Sequence, residues 1–306
     1  MTMAPAARHL SREARQYLSD PLPPPPPFDF SDHVAVAELR HMIHREWSAS
    51  NDRFGKACVG RPELLDDVPA VRFASSEAEL DCDEVIVHLH GGAYFLGSPT
   101  TNLAMIQPVV RRSNLPVVSI DYRLAPEYPC PAAIDDVVSA CRALARDHRI
   151  VAVYGESAGG GLAVAATIAL RDAGCDLPGR LGLLSPWVDL TLSGDTYRTM
   201  LHVDPDFPDP DAPPLWAAAY AGADPGDTRA SPLFADLRGL PPTLIQVGGR
   251  EIMQSDSWRL AAALRDVGVD TTLDVWDGLW HVWQMWPDLP ESAEAFDQLT
   301  DHLMNG

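Results

Sequence analysis

The stretch of this chain that could do chemistry is Gly155-Glu156-Ser157-Ala158-Gly159. An apolar run, Ile150 to Tyr154, leads into it, and a small-residue segment with helical character, through Leu162, Val164, Ala165 and Ile168, leads out. That pattern describes a strand turning sharply into a helix with a serine at the apex. Such a turn forces the serine into a strained backbone conformation, and side chains two positions to either side would collide, hence the flanking glycines. The helix that follows points its N-terminal dipole at the serine and favours negative charge developing there. A serine hydroxyl is a weak nucleophile until a base takes its proton, and the base needs an orienting carboxylate. Alone, the five residues also fit an incidental serine in a tight turn, so the partners decide.

The elbow resembles that of the α/β-hydrolases, in which nucleophile, acid and histidine follow one another along the chain. Three histidines lie downstream of Ser157: His202, His281 and His302. His202 falls in an irregular insertion and His302 in the last predicted helix. His281 sits in Asp277-Gly-Leu-Trp-His-Val-Trp283, directly after a predicted strand, where an imidazole can reach the elbow. The preceding strand runs into Gly248-Gly-Arg-Glu251-Ile-Met-Gln-Ser-Asp256. Glu251 comes immediately off that strand and is the favoured acid. Asp256 remains the alternative, although Ser255 as a helix cap with a carboxylate in the first turn explains it without catalysis. An oxyanion hole needs preorganised backbone N–H donors; Ala158 supplies one, and Gly91 and Gly92 of His90-Gly-Gly-Ala93 supply others. His90 reads as a loop-organising residue. Tyr94 and Trp280, aromatic neighbours of these positions, are expected to wall a substrate pocket.

The elements that must position these residues alternate between strands and helices, which means a mostly parallel sheet covered on both faces. Strands are predicted at 68–73, 85–89, 117–121, 150–154, 181–184, 243–247 and 271–275. Helices are predicted at 103–112, 132–147, 256–267 and 292–303, besides the one after the elbow. Two helices, 8–19 and 31–49, precede this core, joined by the stiff polyproline run at 21–27. Residues 193–230, with Asp204-Pro-Asp-Phe-Pro-Asp-Pro-Asp-Ala-Pro-Pro214 and a short apolar helix at 215–220, break the alternation. The expected architecture is one domain over 1–306. Residues 1–55 and the insertion at 193–230 form its helical cap above the carboxyl ends of the strands, where open α/β sheets bind ligands.

Composition excludes several function classes. The chain has 306 residues, with 23 Lys and Arg against 43 Asp and Glu, a net charge of −20. Nucleic acids and anionic membranes need a basic surface, so neither is an expected partner. Five scattered cysteines, without a CxxC pair, argue against a zinc site or disulfide framework and for reduced thiols in the cytoplasm. The first fifteen residues lack the apolar core of a signal peptide, and no run is long and apolar enough to span a bilayer.

Further motifs extend the resemblance. His90-Gly-Gly-Ala-Tyr-Phe-Leu-Gly-Ser98, Asp121-Tyr-Arg-Leu-Ala-Pro-Glu127, Gly155-Glu-Ser-Ala-Gly-Gly160, Ser185-Pro-Trp-Val-Asp189 and Gly278-Leu-Trp-His-Val-Trp283 occur in that order. Together they resemble the hormone-sensitive-lipase-like bacterial esterases, over residues 64–303. The family's acid-to-histidine spacing lands on Glu251, where most relatives carry Asp. Two other departures are Ala93 for a third glycine and Glu156 for Asp. The 121–127 and 185–189 motifs are expected to be architectural. The resemblance implies a cofactor-free, metal-free serine carboxylester hydrolase for short to medium acyl esters or lactones, with a homodimer possible. A non-hydrolytic member of the fold and a receptor without turnover are the alternatives; an intact Ser157–His281 pair weighs against both.

Overall fold

The computed structural model describes residues 7, 9–21, 29–51, 58–207 and 209–305. Its frame is an eight-stranded sheet of β1 (Val59–Leu65), β2 (Val68–Ala74), β3 (Glu84–Leu89), β4 (Val117–Ile120), β5 (Arg149–Glu156), β6 (Leu181–Leu184), β7 (Thr243–Gly248) and β8 (Thr271–Trp276). The strands lie in the order β1-β2-β4-β3-β5-β6-β7-β8, parallel from β4 to β8 and antiparallel at β1/β2 and β2/β4. Strands buried on both faces read as continuous apolar runs, and β3 through β7 were legible for that reason. β1 was not predicted: it is an edge strand, mostly exposed and carrying Pro62, so no alternating apolar face marks it.

Helices among the described residues are α1 (Arg12–Ser19), α2 (His33–Asn51), α3 (Leu103–Ser113), α4 (Ala132–Leu144), α5 (Ala158–Asp172), α6 (Thr196–Thr199), α7 (Ala212–Ala221), α8 (Gln254–Asp266) and α9 (Pro290–Met304). One core layer joins the sheet to α4, α5 and α8, through residues such as Val137, Leu162 and Leu260. The other joins it to α3 and α9 through Ile106, Val109, Phe296 and Leu299. Each such fully buried side chain contributes about 1.5–3 kcal/mol.

The chain leaves β3 toward β4 on one side and returns to β5 on the other, so the order reverses between β3 and β5. Loops at that reversal open a crevice beyond the strand ends. Those loops are His90–Leu96 after β3 and the elbow after β5. The N-terminal helices pack against loops at the same end of the sheet. α1 is capped by Ser11, whose Oγ accepts the Ala14 N–H at 3.0 Å, and buries Ala14 and Leu18 with Leu279, Trp280 and Trp283. α2 lays Leu39 and Ile43 on Phe95 and Leu96. The polyproline connector lies, from residue 22 on, outside the described residues.

Candidate active site

The elbow is built as its glycines require. Ser157 has φ 54° and ψ −121°, a conformation costing about 1–3 kcal/mol that persists only when the surroundings over-determine it. They do here. A Cβ on Gly155 would sit 2.5 Å from the Gly159 carbonyl oxygen, and one on Gly159 would sit 2.0 Å from that of Leu89. Without side chains at both places, the elbow packs directly on the end of β3. Ser157 N–H donates to the Leu184 carbonyl at 2.8 Å, tying the turn to β6 as well.

The loop after β8 brings His281 to the serine. Nε2 of His281 lies 3.0 Å from Ser157 Oγ, and Nδ1 lies 3.4 Å from Glu251 Oε1. Ser157 and His281 are each 8% exposed and Glu251 is fully buried. The other oxygen of Glu251 accepts two hydrogen bonds, from Ser185 Oγ at 2.8 Å and from Gly248 N–H at 2.9 Å. Ser185 Oγ in turn accepts the Val282 N–H at 3.1 Å. One hydroxyl thus joins the carboxylate to the residue next to the imidazole. Ser185, expected to be architectural, has a positive φ of 47°, set by backbone geometry that no sequence pattern announces.

Asp256 points elsewhere. Its Oδ2 accepts the Val188 and Asp189 N–H groups at 3.2 and 3.0 Å and the Tyr197 hydroxyl at 3.0 Å. The expected cap is corrected too: α8 starts at Gln254, so Ser255 lies inside the first turn and its hydroxyl bonds Thr196. Burial, reinforced by the charge on Asp189, pushes the Asp256 carboxyl up to about 8.

The loop after β3 departs from expectation at one donor. Gly91 N–H donates to Glu156 Oε1 at 2.5 Å, and Asn102 Nδ2 donates to the same oxygen at 2.7 Å. Glu156 Oε2 meets His88 Nε2 at 2.9 Å, and His88 Nδ1 meets Ser119 Oγ at 2.9 Å. The Gly91 amide is therefore spent on holding the loop to the elbow, and its place as an oxyanion donor is corrected. Among the described residues no hydrogen bond takes the amides of Gly92, Ala93 or Ala158. His90 is the loop organiser expected: its ring stacks on Tyr122 at 4.2 Å, Nδ1 meets the Gly91 carbonyl, and burial pushes it down to about 4, so it stays neutral.

Residues 86–285 match the model of a family described as having the α/β-hydrolase fold. The chain is 38% identical over 216 residues to an acetyl-hydrolase of Streptomyces hygroscopicus, covering 69% of this chain and 72% of that protein. It is 35% identical over 244 residues to an esterase of Acinetobacter venetianus, covering 76% and 78% respectively. A solved esterase from the bacterial hormone-sensitive-lipase family superposes with a TM-score of 0.84 at 34% identity, over 96% of this chain and 97% of that one. The chain is an α/β-hydrolase of the hormone-sensitive-lipase family.

In this hydrolase an aromatic ring packed on His281 comes from the insertion. Phe207 meets the His281 ring edge-on at 4.9 Å, and Trp216 lies 5.6 Å from Phe207. Tyr94 and Trp280 are corrected as pocket walls: Tyr94 stacks on Tyr220 at 3.6 Å, and Trp280 is fully buried against Tyr17 at 4.3 Å. Nearness in sequence to a loop histidine does not say on which side of the loop a ring lies. Phe207 was missed because, although its segment was expected to belong to the cap, no periodicity in that run of Pro and Asp says which of its side chains turns inward. Beside it lie two more carboxyls, Asp204 buried and Asp206 half-buried. Asp204 Oδ2 accepts the N–H of Ile252, next to Glu251, at 2.9 Å, and Asp206 accepts the Tyr17 hydroxyl at 2.6 Å. Burial pushes Asp206 up to about 6 and, with the neighbouring charge of Asp206, holds Asp204 well above the usual carboxylate range. No group of three or more His, Cys, Asp or Glu among the described residues could hold a metal ion.

Proposed function

We propose that this protein is a serine carboxylester hydrolase. The observation that carries the reading is the 3.0 Å approach of His281 Nε2 to Ser157 Oγ, with Glu251 behind Nδ1. As ester binds, Ser157 Oγ attacks the carbonyl carbon while its proton passes to His281. Glu251 keeps the imidazole in the tautomer that accepts at Nε2 and stabilises the imidazolium. The carbonyl oxygen, now negative, takes the amides of Gly92, Ala93 and Ala158, which no other group among the described residues occupies. His281 then gives its proton to the leaving alcohol, the C–O bond breaks, and an acyl-serine remains. Water repeats the sequence and releases the acid.

The N-terminal helices and the 193–230 insertion act as a cap over this centre. Phe207 and Trp216 furnish an apolar wall close to the nucleophile, which suits short to medium acyl groups. The 38%-identical relative named acetyl-hydrolase agrees with that preference. A cytoplasmic location and a homodimer complete the reading. Cysteines 58, 82, 130, 141 and 175 are all free, as a reducing compartment would keep them. Edge strand β8 leaves Val275 exposed for self-association. No helix among the described residues is long and apolar enough to cross a membrane.

Hydrolysis of p-nitrophenyl esters from acetate to decanoate tests this. Turnover should peak at short to medium chains, and Ser157→Ala should lower kcat by about 10⁵–10⁶-fold. Undiminished turnover in that variant would reject the mechanism.

A further inference from the structure

The loop that carries the Gly92 and Ala93 amides is unusual in its backbone. Three successive residues, Gly92, Ala93 and Tyr94, have φ of +116°, +51° and +65°. Ala93 and Tyr94 are not glycines, so this conformation needs external restraint to persist. At its start, the elbow's own Glu156 supplies it by taking the Gly91 amide. At its end, the restraint comes from a helix more than fifty residues earlier in the chain.

We propose that Arg40 of cap helix α2 is a positioning residue for the oxyanion hole. Its Nε donates to the Phe95 carbonyl at 2.7 Å, and its Nη2 donates to the Ala125 carbonyl at 2.5 Å. Nη1 and Nη2 also donate to the two oxygens of Glu127, at 2.7 and 2.8 Å. Ala125 is itself bound to the loop, its N–H donating to the Tyr94 carbonyl at 2.9 Å. One guanidinium therefore holds the last residue of the turn and the segment that braces it, while Glu127 holds the guanidinium. Leu39 and Ile43, flanking Arg40 on α2, pack on Phe95 and Leu96, so the ion pair and the apolar contact pull the same way. A lysine could not serve: the task needs a planar fork that donates in several fixed directions at once. The consequence is that the cap does more than wall the substrate. Its seating on the body and the aim of the Gly92 and Ala93 amides are one mechanical unit. If α2 shifts, the hole loosens.

This inference rests on the esterase reading above, and the test keeps the two separate. Kinetics with p-nitrophenyl butyrate are measured for the wild-type chain, Arg40→Met, Arg40→Ala, Arg40→Lys and Glu127→Gln, with melting temperatures alongside. Arg40→Met should lose about 10- to 100-fold in kcat, by analogy with the loss of an oxyanion donor, while KM stays within about threefold. Affinity for an alkyl trifluoromethyl ketone, whose serine adduct bears the oxyanion, should fall in proportion to kcat/KM. Arg40→Lys should not rescue, and millimolar guanidinium should restore part of kcat to Arg40→Ala but not to Arg40→Met. A folded Arg40→Met with kcat within threefold of wild type, or a loss confined to KM, overturns the proposal. Should Arg40→Met fail to fold, Glu127→Gln decides: a several-fold fall in kcat with KM kept supports it, and unchanged kcat rejects it. A wild-type chain without Ser157-dependent turnover would overturn the esterase reading itself, and this inference with it.

Discussion

Two buried carboxyls five residues apart, on the loop after β7 and in the first turn of α8, have opposite surroundings. Glu251 has a partner for each oxygen: the imidazole of His281 on one, Ser185 and Gly248 on the other. Asp256 gathers three donors on Oδ2 and none on Oδ1, which is buried without a partner among the described residues. Both are fully shielded from solvent. Burial therefore does not distinguish the acid proposed for the triad from a structural one. What does is where the side chain leaves the backbone. Glu251 leaves at the end of a parallel strand, beside the loop that carries the histidine. Asp256 leaves a turn later, toward the backbone of residues 188–189, which it pins to α8.

The largest effect should come from disturbing the first of the pair. Under the proposed mechanism, Glu251→Gln keeps the shape but removes the charge that would hold the imidazole's tautomer and stabilise its cation. A fall in kcat of about 10³–10⁴-fold is expected, with KM little changed. Asp256→Asn, measured in the same assay, should stay within about threefold of wild type. If the two variants exchanged these outcomes, the assignment of the acid would be reversed.

Much of this contrast was legible before any coordinates. The buried parallel strands read as apolar runs, and they deliver the loops; Ser157 and His281 follow from loop position, and Glu251 from standing next to a strand end. The unread part depends on side-chain direction. Glu156 turns back to take the Gly91 amide, so the count of oxyanion donors cannot be taken from a glycine motif. Trp280 turns toward α1 although its neighbour His281 turns toward the elbow. Phe207 reaches the histidine from a cap segment whose run of prolines and aspartates has no periodicity to say which side chain turns inward. Arg40, one charged residue on an amphipathic helix, carries no sequence mark of the four hydrogen bonds it makes.

A middling effect should sharpen the role of Glu251. Ser185→Ala deletes a donor to its Oε2 and leaves the Val282 N–H without an acceptor. A hydrogen bond to a charged group contributes about 1.5–3 kcal/mol. Only part of that bears on the orientation of the imidazole, so kcat should fall about tenfold. The pH profile of kcat/KM decides between positioning and plain stability. A hydroxyl acting through the Glu251–His281 pair should shift the profile's acidic limb, whereas one that merely supports the fold should lower the melting temperature and leave the limb in place.

The smallest effect on turnover should be the clearest on stability, and it concerns Asp256. In the folded chain burial raises this carboxyl from 3.8 to about 8, while in the unfolded chain it ionises near pH 4. Across that window the unfolded state has lost a proton that the folded state keeps. For an acid whose folded value is raised, stability is full below the unfolded value and declines as pH rises toward the folded one. The slope for one proton is about 1.4 kcal/mol per pH unit. Asp256→Asn cannot titrate, so it should lack this slope while keeping an amide oxygen for the Val188 and Asp189 N–H groups. Urea unfolding of both proteins at pH 5, 6, 7 and 8 isolates the effect, because every other titrating group is common to the two. The difference in unfolding free energy should move in favour of the variant at each step upward. Parallel curves would mean that Asp256 is ionised in the folded chain, and the electrostatic half of its contrast with Glu251 would fall.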